Sequence, residues 1–293
     1  MPIMNPITLP SYAKINLFLD IVGVREDGYH LLTMVNAKIA LHDSITCTIH
    51  PTRTIKISGS HSAVPFGREN TMYQAAELFL KQTHSRWGCS IFIEKHIPIG
   101  AGLGGGSSNA ATVLQALNDV ADPHLPHAQL VMIGAAVGAD VPFFLHEGCC
   151  CVRGIGEQVM EFYVPRTVDH PLPSVVLCSP EEKVSTREAY ALWDRMKRKA
   201  HASPTRLLNA LMEGRLEELH GHLFNAFESV IYPAYPAIQK AYEDFKAVSP
   251  TVPLLSGSGS NIFSIVADAP QANETVQRLR EKGYSASAWD LRV

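Results

Sequence analysis

Between Pro98 and Ala111 the chain reads P-I-G-A-G-L-G-G-G-S-S-N-A-A, with Gly100, Gly102, Gly104, Gly105 and Gly106 inside seven residues. Glycine reaches backbone conformations closed to residues with a Cβ, and it lets main-chain N–H groups approach a ligand closely. Before this stretch, Cys89-Ser90-Ile91-Phe92-Ile93 is β-branched and aromatic, as in a buried strand. After it, Ala110, Val113, Leu114 and Leu117 recur at i, i+3, i+4 and i+7, which predicts an amphipathic helix. Ser107 or Ser108 is the expected cap of that helix. A strand, a glycine loop and a helix start in this order gather free N–H groups and a dipole end worth about +0.5 charge into one concavity. The expectation is a phosphate cradle.

Three familiar glycine motifs compete for the stretch. Gly100-Ala101-Gly102-Leu103-Gly104-Gly105 fits the dinucleotide fingerprint G-x-G-x-x-G, but that motif needs a second strand ending in an acidic residue about 20 positions on. Here the position falls in Asn118-Asp119-Val120-Ala121-Asp122-Pro123, a helix end running into a proline. The pattern G-x-x-x-x-G-K-[ST] fails because Gly106 stands where its lysine belongs. The protein-kinase loop wants a valine where Ser107 stands. A turn that merely packs would not need five glycines and two serines at a helix start.

With 293 residues the chain can form one large domain or two moderate ones. A net charge of −3 argues against broad nucleic-acid or membrane binding, so anionic ligands must be held by local features such as the loop. No charged-then-apolar leader opens the sequence and no run of 18 apolar residues occurs, so a cytoplasmic chain is expected. Cys47, Cys89, Cys149, Cys150, Cys151 and Cys178 form no C-x-x-C pair and read as buried thiols rather than a disulfide or metal framework.

Outside the loop, Tyr12 to Val22 alternates strictly. Ala13, Ile15, Leu17, Leu19 and Ile21 fall on one face; Lys14, Asn16, Phe18 and Asp20 fall on the other. Period two puts Lys14 and Asn16 roughly 7 Å apart. The plain reading is a surface lysine on a half-buried strand. Tyr29-His30 follows the turn Arg25-Glu26-Asp27-Gly28, and such a pair is either simply exposed or able to stack on and hydrogen-bond a nucleobase. In Gly138-Ala139-Asp140-Val141-Pro142-Phe143-Phe144 the proline biases Val141 away from the helical region, which predicts a helix-to-strand junction at Asp140. Local sequence alone favours Asp140 binding neighbouring backbone N–H groups. Prolines at 165, 171 and 173 suggest a boundary near residue 170. Apolar spacing then predicts helices at Thr205–Glu213, Leu216–Val230 and Ala234–Val248, and Leu255 to Asn261 forms a second glycine turn between strands.

The pattern P-x-x-x-G-L-G-G-G-S-S-x-A-A closely resembles the nucleotide loop of the GHMP small-molecule kinases, a family that includes galactokinase, homoserine kinase and mevalonate kinase. The openings S-Y-A-K-I-N-L-F-L-D-I-V-G and D-G-Y-H-L-L, with G-A-D-V-P-F-F, are similar to one branch of it. That branch uses ATP to phosphorylate the 2-hydroxyl of a cytidine diphosphate-linked methylerythritol in the non-mevalonate isoprenoid pathway. The resemblance implies an α+β, two-lobed fold with the site in the cleft between lobes, an ATP-binding domain at 1–170 and a second domain at 171–293. It implies that Pro98, Ile99, Gly100, Ala101, Gly102, Leu103, Gly104, Gly105, Gly106, Ser107 and Ser108 wrap the phosphates, with Mg2+ bridging phosphate oxygens. It assigns Asp140 as the base beside Lys14, places Asn16 at the reacting hydroxyl, and gives Tyr29 and His30 to the cytidine. Tyr190, within V-S-T-x-x-x-Y, either stacks on the base or packs as an ordinary helix residue. Asn225-Ala226-Phe227-Glu228 departs from the branch's N-D-[LF]-E, since Ala226 replaces an acidic residue, and this puts a ligand role for that loop in doubt. No glutamate stands at a clear match to the metal-binding position used by some relatives, so the sequence assigns no residue to the metal. The expected partner is a small molecule, with no nucleic acid and no membrane, bound by a monomer or homodimer.

Overall fold

Strand and helix alternate along the chain as the sequence pattern requires. In the computed structural model, which describes residues 5–165, 172–197 and 199–292, the order begins with β1 (Ile7–Val24), β2 (His30–His50) and β3 (Ile55–Gly59). Next come α1 (Thr71–Gln82), β4 (Gly88–Glu94), α2 (Gly105–Asn118), α3 (His127–Val137), α4 (Val141–Leu145), β5 (Cys149–Gly154) and β6 (Gln158–Phe162). The rest is β7 (Ser174–Ser179), α5 (Thr186–Asp194), α6 (Thr205–Met212), a 3-10 turn (Leu216–Gly221), β8 (Phe224–Asn225), α7 (Glu228–Ala234), α8 (Pro236–Val248), β9 (Leu254–Leu255), β10 (Ile262–Val266), α9 (Ala269–Glu281) and β11 (Ser285–Arg292). The mixture agrees with the expected α+β class.

These elements group into two compact units that interleave along the chain. The first takes the chain up to Ala13, Leu41–Ile99 and Gly104–Glu147; the second takes Lys14–Ala40, Gly100–Leu103 and the chain from Gly148. The expected boundary near residue 170 lies outside the described residues.

In the first unit β4 pairs antiparallel with the end of β2, Ile45 opposite Ile93, and parallel with β3, Ile55 opposite Cys89. Asn70 caps α1, its side-chain oxygen accepting from the Met72 N–H at 2.8 Å, as its position before the helix predicts. Helix α2 packs among α1, α3 and α4, and Ala110, Ala111, Val113 and Leu114 are all fully buried. It is therefore buried nearly all round rather than along one stripe. Its alanines and Thr112 let neighbouring helices close on every side.

In the second unit β7 lies between β10 and β11, with Val175 opposite both Ile265 and Trp289. β5 pairs with the start of β2 and forms a hairpin with β6, and β8 runs parallel to β1 with Phe224 opposite Phe18. All six cysteines are buried and free, three of them consecutive on β5.

Three sequence expectations need correction. The polar face of β1 is not exposed: Lys14, Asn16, Phe18 and Asp20 are each under 5 % exposed, so the strand is buried on both sides. The helix expected over Leu216–Val230 is broken into the 3-10 turn, β8 and α7. Pairing of Phe224 and Asn225 with β1 overrides the helical spacing there, the Ala226 N–H donating to Leu19 O at 2.9 Å. Finally, Asp140 precedes a short helix, not a strand. Val141 is its first residue, and Pro142 falls in the first turn, where a missing N–H costs nothing.

Candidate active site

The loop after β4 alternates two kinds of residue. Gly100, Gly102 and Gly104 have φ of 67°, 72° and 69°, the left-handed region that favours glycine. Between them Ala101 and Leu103 are 2 % and 1 % exposed and pin the loop to the interior. Pro98 is half-buried at the start of the turn and Ile99 is exposed. Gly104 itself is the N-cap of α2, and no side chain caps the helix. Ser107 and Ser108 lie inside the first turn, so the expected serine cap is corrected. Ser108 instead accepts a hydrogen bond from the Ser11 hydroxyl at 2.8 Å. The first N–H groups of an α-helix have no acceptor within the helix. With no side chain turned back on them, those of α2 keep their capacity for an anion.

The glycines serve different needs. A Cβ on Gly102 would lie 2.1 Å from the Ser256 carbonyl oxygen, so the fold itself forbids one. On Gly106, exposed in the first turn of α2, a Cβ would meet only Thr71 Oγ1 at 3.7 Å, an ordinary contact. Folding gives Gly106 no reason to be glycine, whereas close approach of a ligand does. That is how a phosphate cradle would look without its phosphate.

A buried carboxylate braces this loop in the first unit. Asp43 on β2 is fully buried, and its Oδ1 accepts from the N–H groups of His96 and Ile97 at 2.7 and 2.8 Å. Its Oδ2 accepts from Lys95 Nζ at 2.6 Å and from Asn109 Nδ2 at 2.8 Å. The first three donors precede the loop and the fourth stands on α2, so one side chain ties the two flanks together. Burial lowers the Lys95 pKa, with the attraction of Asp43 opposing it. The strongest sequence signal for this brace was an aspartate inside a strand pattern, which periodicity does not flag.

On the second unit's part of β1, Lys14 and Asn16 meet as their spacing predicts. Lys14 Nζ donates to Asn16 Oδ1 at 2.7 Å, and Asn16 Nδ2 donates to Asn36 Oδ1 on β2 at 2.7 Å. The Lys14 N–H also donates to Leu103 O at 3.0 Å, which fastens this strand to the glycine loop. An ammonium only 4 % exposed needs such partners, since burying a charge without them is costly.

His30 and Tyr190 also come together. Their rings stack with centroids 4.3 Å apart and 25° between planes, and Tyr190 meets Phe227 edge-on at 5.0 Å. His30 Nε2 lies 2.8 Å from Asp194 Oδ1. Asp194 stands four residues after Tyr190 on α5, hence on the same helix face, a spacing that could have singled it out. Tyr29 is 60 % exposed at the end of the turn closed by Gly28, whose φ is 86°. Asp140 is half-exposed at the start of α4, and its side chain makes no cap bond to that helix.

The second glycine turn is held by the Asn225–Glu228 segment. Glu228 Oε1 accepts from the Leu255 N–H at 2.9 Å and from the Tyr232 hydroxyl at 2.8 Å. Burial raises the Glu228 pKa above its ordinary 4.5, and the two hydrogen bonds only partly oppose this. No three His, Cys, Asp or Glu side chains among the described residues converge on a metal-sized site.

Two stability measurements check this account. Gly102→Ala is expected to cost at least about 2 kcal/mol in urea denaturation, from the left-handed φ and the carbonyl clash. Gly106→Ala should instead be neutral or stabilise by up to about 1 kcal/mol as a helix residue; equal losses at both positions would contradict the division of roles. For Glu228, a folded pKa above the unfolded one means that stability is lost as pH rises through the folded value. The Tm advantage of Glu228→Gln over the parent should therefore widen from about pH 4 to about pH 8, and a narrowing would be inconsistent with a raised pKa.

Comparison with known proteins agrees with this geometry. Residues 70–148, which hold the glycine loop and Asp140, match the GHMP kinases N terminal domain. A 4-diphosphocytidyl-2-C-methyl-D-erythritol kinase of Clostridium kluyveri is 36 % identical over 94 % of this chain and 96 % of its own. The enzyme of that name from Alkaliphilus metalliredigens is 34 % identical over 98 % of this chain and all of its own. A crystal structure of 4-(cytidine 5'-diphospho)-2C-methyl-D-erythritol kinase superimposes with a TM-score of 0.80 at 31 % identity, covering 98 % of this chain and 100 % of that one. With an uncapped helix behind three left-handed glycines and likeness running the length of the sequence, the chain belongs to the 4-diphosphocytidyl-2-C-methyl-D-erythritol kinase branch of the GHMP kinases.

Proposed function

We propose that this small-molecule kinase moves the γ-phosphoryl group of ATP to the 2-hydroxyl of 4-diphosphocytidyl-2-C-methyl-D-erythritol, a step toward isoprenoid precursors. The observation that carries the reading is the uncapped start of α2, reached through three left-handed glycines. Main-chain N–H groups of the loop between Pro98 and Ser108 would hold the phosphates, with Gly106 leaving room for their approach. Mg2+, a hard cation that takes oxygen ligands, would come in on the phosphate oxygens. The bound ion supplies charge neutralisation at the phosphates.

The acceptor hydroxyl must lose its proton as it attacks phosphorus. Asp140 is the base assigned here, its carboxylate taking that proton. Such help is typically worth about 10²–10⁴-fold in rate, or roughly 3–5 kcal/mol of barrier. Lys14 supplies positive charge for the phosphoryl group in transit, and Asn16 holds both the ammonium and the acceptor region in register. Tyr29, His30 and Tyr190 take the cytidine, whose flat base suits stacking and whose polar edge suits the imidazole. Asp194 on Nε2 directs the other ring nitrogen of His30 toward the ligand.

Release of ADP in a coupled assay is expected with the cytidine diphosphate-linked acceptor. Turnover of homoserine or mevalonate in its place, from folded protein, would move the chain to a sister branch. Asp140→Asn should keep ATP affinity within about threefold while turnover falls at least about 10²-fold; unchanged turnover would remove Asp140 from the chemistry.

A further inference from the structure

The segment Asn225-Ala226-Phe227-Glu228 has no part in the chemistry above, yet two of its side chains are committed to one feature. Asn225 is buried, and its Nδ2 donates to Leu255 O at 2.7 Å and to Gly257 O at 2.8 Å. Glu228 takes the N–H of Leu255 at 2.9 Å. Both therefore grip the second glycine turn.

The same turn touches three groups already given roles. Ser256 Oγ donates to Gly102 O at 3.2 Å, and Gly102 is the glycine that cannot carry a Cβ because Ser256 O is in the way. A Cβ on Gly257 would lie 3.4 Å from Asn16 Oδ1 and 3.2 Å from Gly102 O. Ser258 Oγ lies 3.1 Å from Thr186 Oγ1, at the first residue of the helix that carries Tyr190 and Asp194. Thus one short turn abuts the donor loop, the strand pair at the reacting hydroxyl, and the helix of the cytidine subsite.

A turn built on Gly257 and Gly259, with φ of 58° and 91°, has little stiffness of its own. Three hydrogen bonds supply it. We propose that Asn225 and Glu228 are positioning residues: by fixing the turn they hold Gly102 of the donor loop in place beside Asn16. Misplacement by about 1 Å can cost about 10²-fold in transfer. This inference rests on the functional reading given above, and it gives the Asn225–Glu228 segment a task that does not need an acidic residue at 226.

The test is the amount of ADP released per molecule of acceptor phosphorylated. Water in place of the hydroxyl attacks the same phosphorus and yields ADP and inorganic phosphate, so a loosened alignment raises the ratio. Unfolded molecules make neither product, so a loss of folded protein leaves it unchanged. Asn225→Ala and Glu228→Ala are expected to raise the ratio at least about fivefold. Glu228→Gln, which keeps an oxygen for both donors, should stay within about twofold of the parent. Should the alanine variant at 225 not fold, Asn225→Ser carries the same expectation, since it is too short to reach both carbonyls. Ratios equal to the parent's in the folded 225 and alanine variants, or a Gln variant as impaired as the Ala one, would overturn the proposal. Absence of transfer by the parent would instead overturn the functional reading, and this inference with it.

Discussion

Asp43 is the constraint on which the donor loop depends in the first unit. Removing a carboxylate and an ammonium from water costs several kcal/mol per ion, and their mutual attraction does not reliably repay it. The lowered pKa of Lys95 records that imbalance, because burial acts on it more strongly than Asp43 does. The remaining hydrogen bonds make the arrangement tenable: two main-chain N–H groups and one amide fill the other positions around the carboxylate. A pair of this kind is better at choosing one geometry than at adding stability. Here the geometry chosen is the approach of residues 95–97 to the glycines and the seat of α2 behind them.

A second constraint acts in the other unit. Gly102 and Ser256 are more than 150 positions apart in sequence, yet their backbones touch closely enough to exclude a methyl group. The five glycines of the loop thus answer to separate demands. Three adopt left-handed conformations, and one of these also makes room for a neighbouring carbonyl. Gly105 would set a Cβ 3.1 Å from Ile97 and 3.2 Å from Lys95 Nζ, and Gly106 does none of these. Its freedom from internal demands is the most direct sign of an external one.

Much of this was legible in the sequence. The strand–loop–helix order around Pro98 to Ala111 followed from local rules, and the structure agrees with it. The alternation of β1 placed Lys14 and Asn16 on one face correctly, but periodicity says which residues share a face, not whether that face is covered. Covering it took later segments of the second unit, among them His201 at Asp20, the turn at Gly257 beside Asn16, and Phe224 on Phe18. Leu216–Val230 misled for a related reason: its spacing suits a helix, and only Leu19 and Phe18, some 200 residues earlier, turn Phe224-Asn225-Ala226 into a strand edge. Asp140 was misplaced by treating Pro142 as a barrier, although a first helical turn tolerates proline well. The brace at Asp43 and the grip of Asn225 were invisible because their partners, main-chain atoms together with Lys95 and Asn109, lie far away in sequence and in no recognisable spacing.

The cysteines have a practical consequence. Burial pushes the thiols of Cys47, Cys89, Cys150 and Cys178 up to about 12, so almost no thiolate exists near neutrality. Since the thiolate is the nucleophile, alkylating warheads would find little to react with at those four sulfurs while the fold is intact. Those four thiols can act as silent reporters of unfolding: modified when the chain opens, unmodified when it does not.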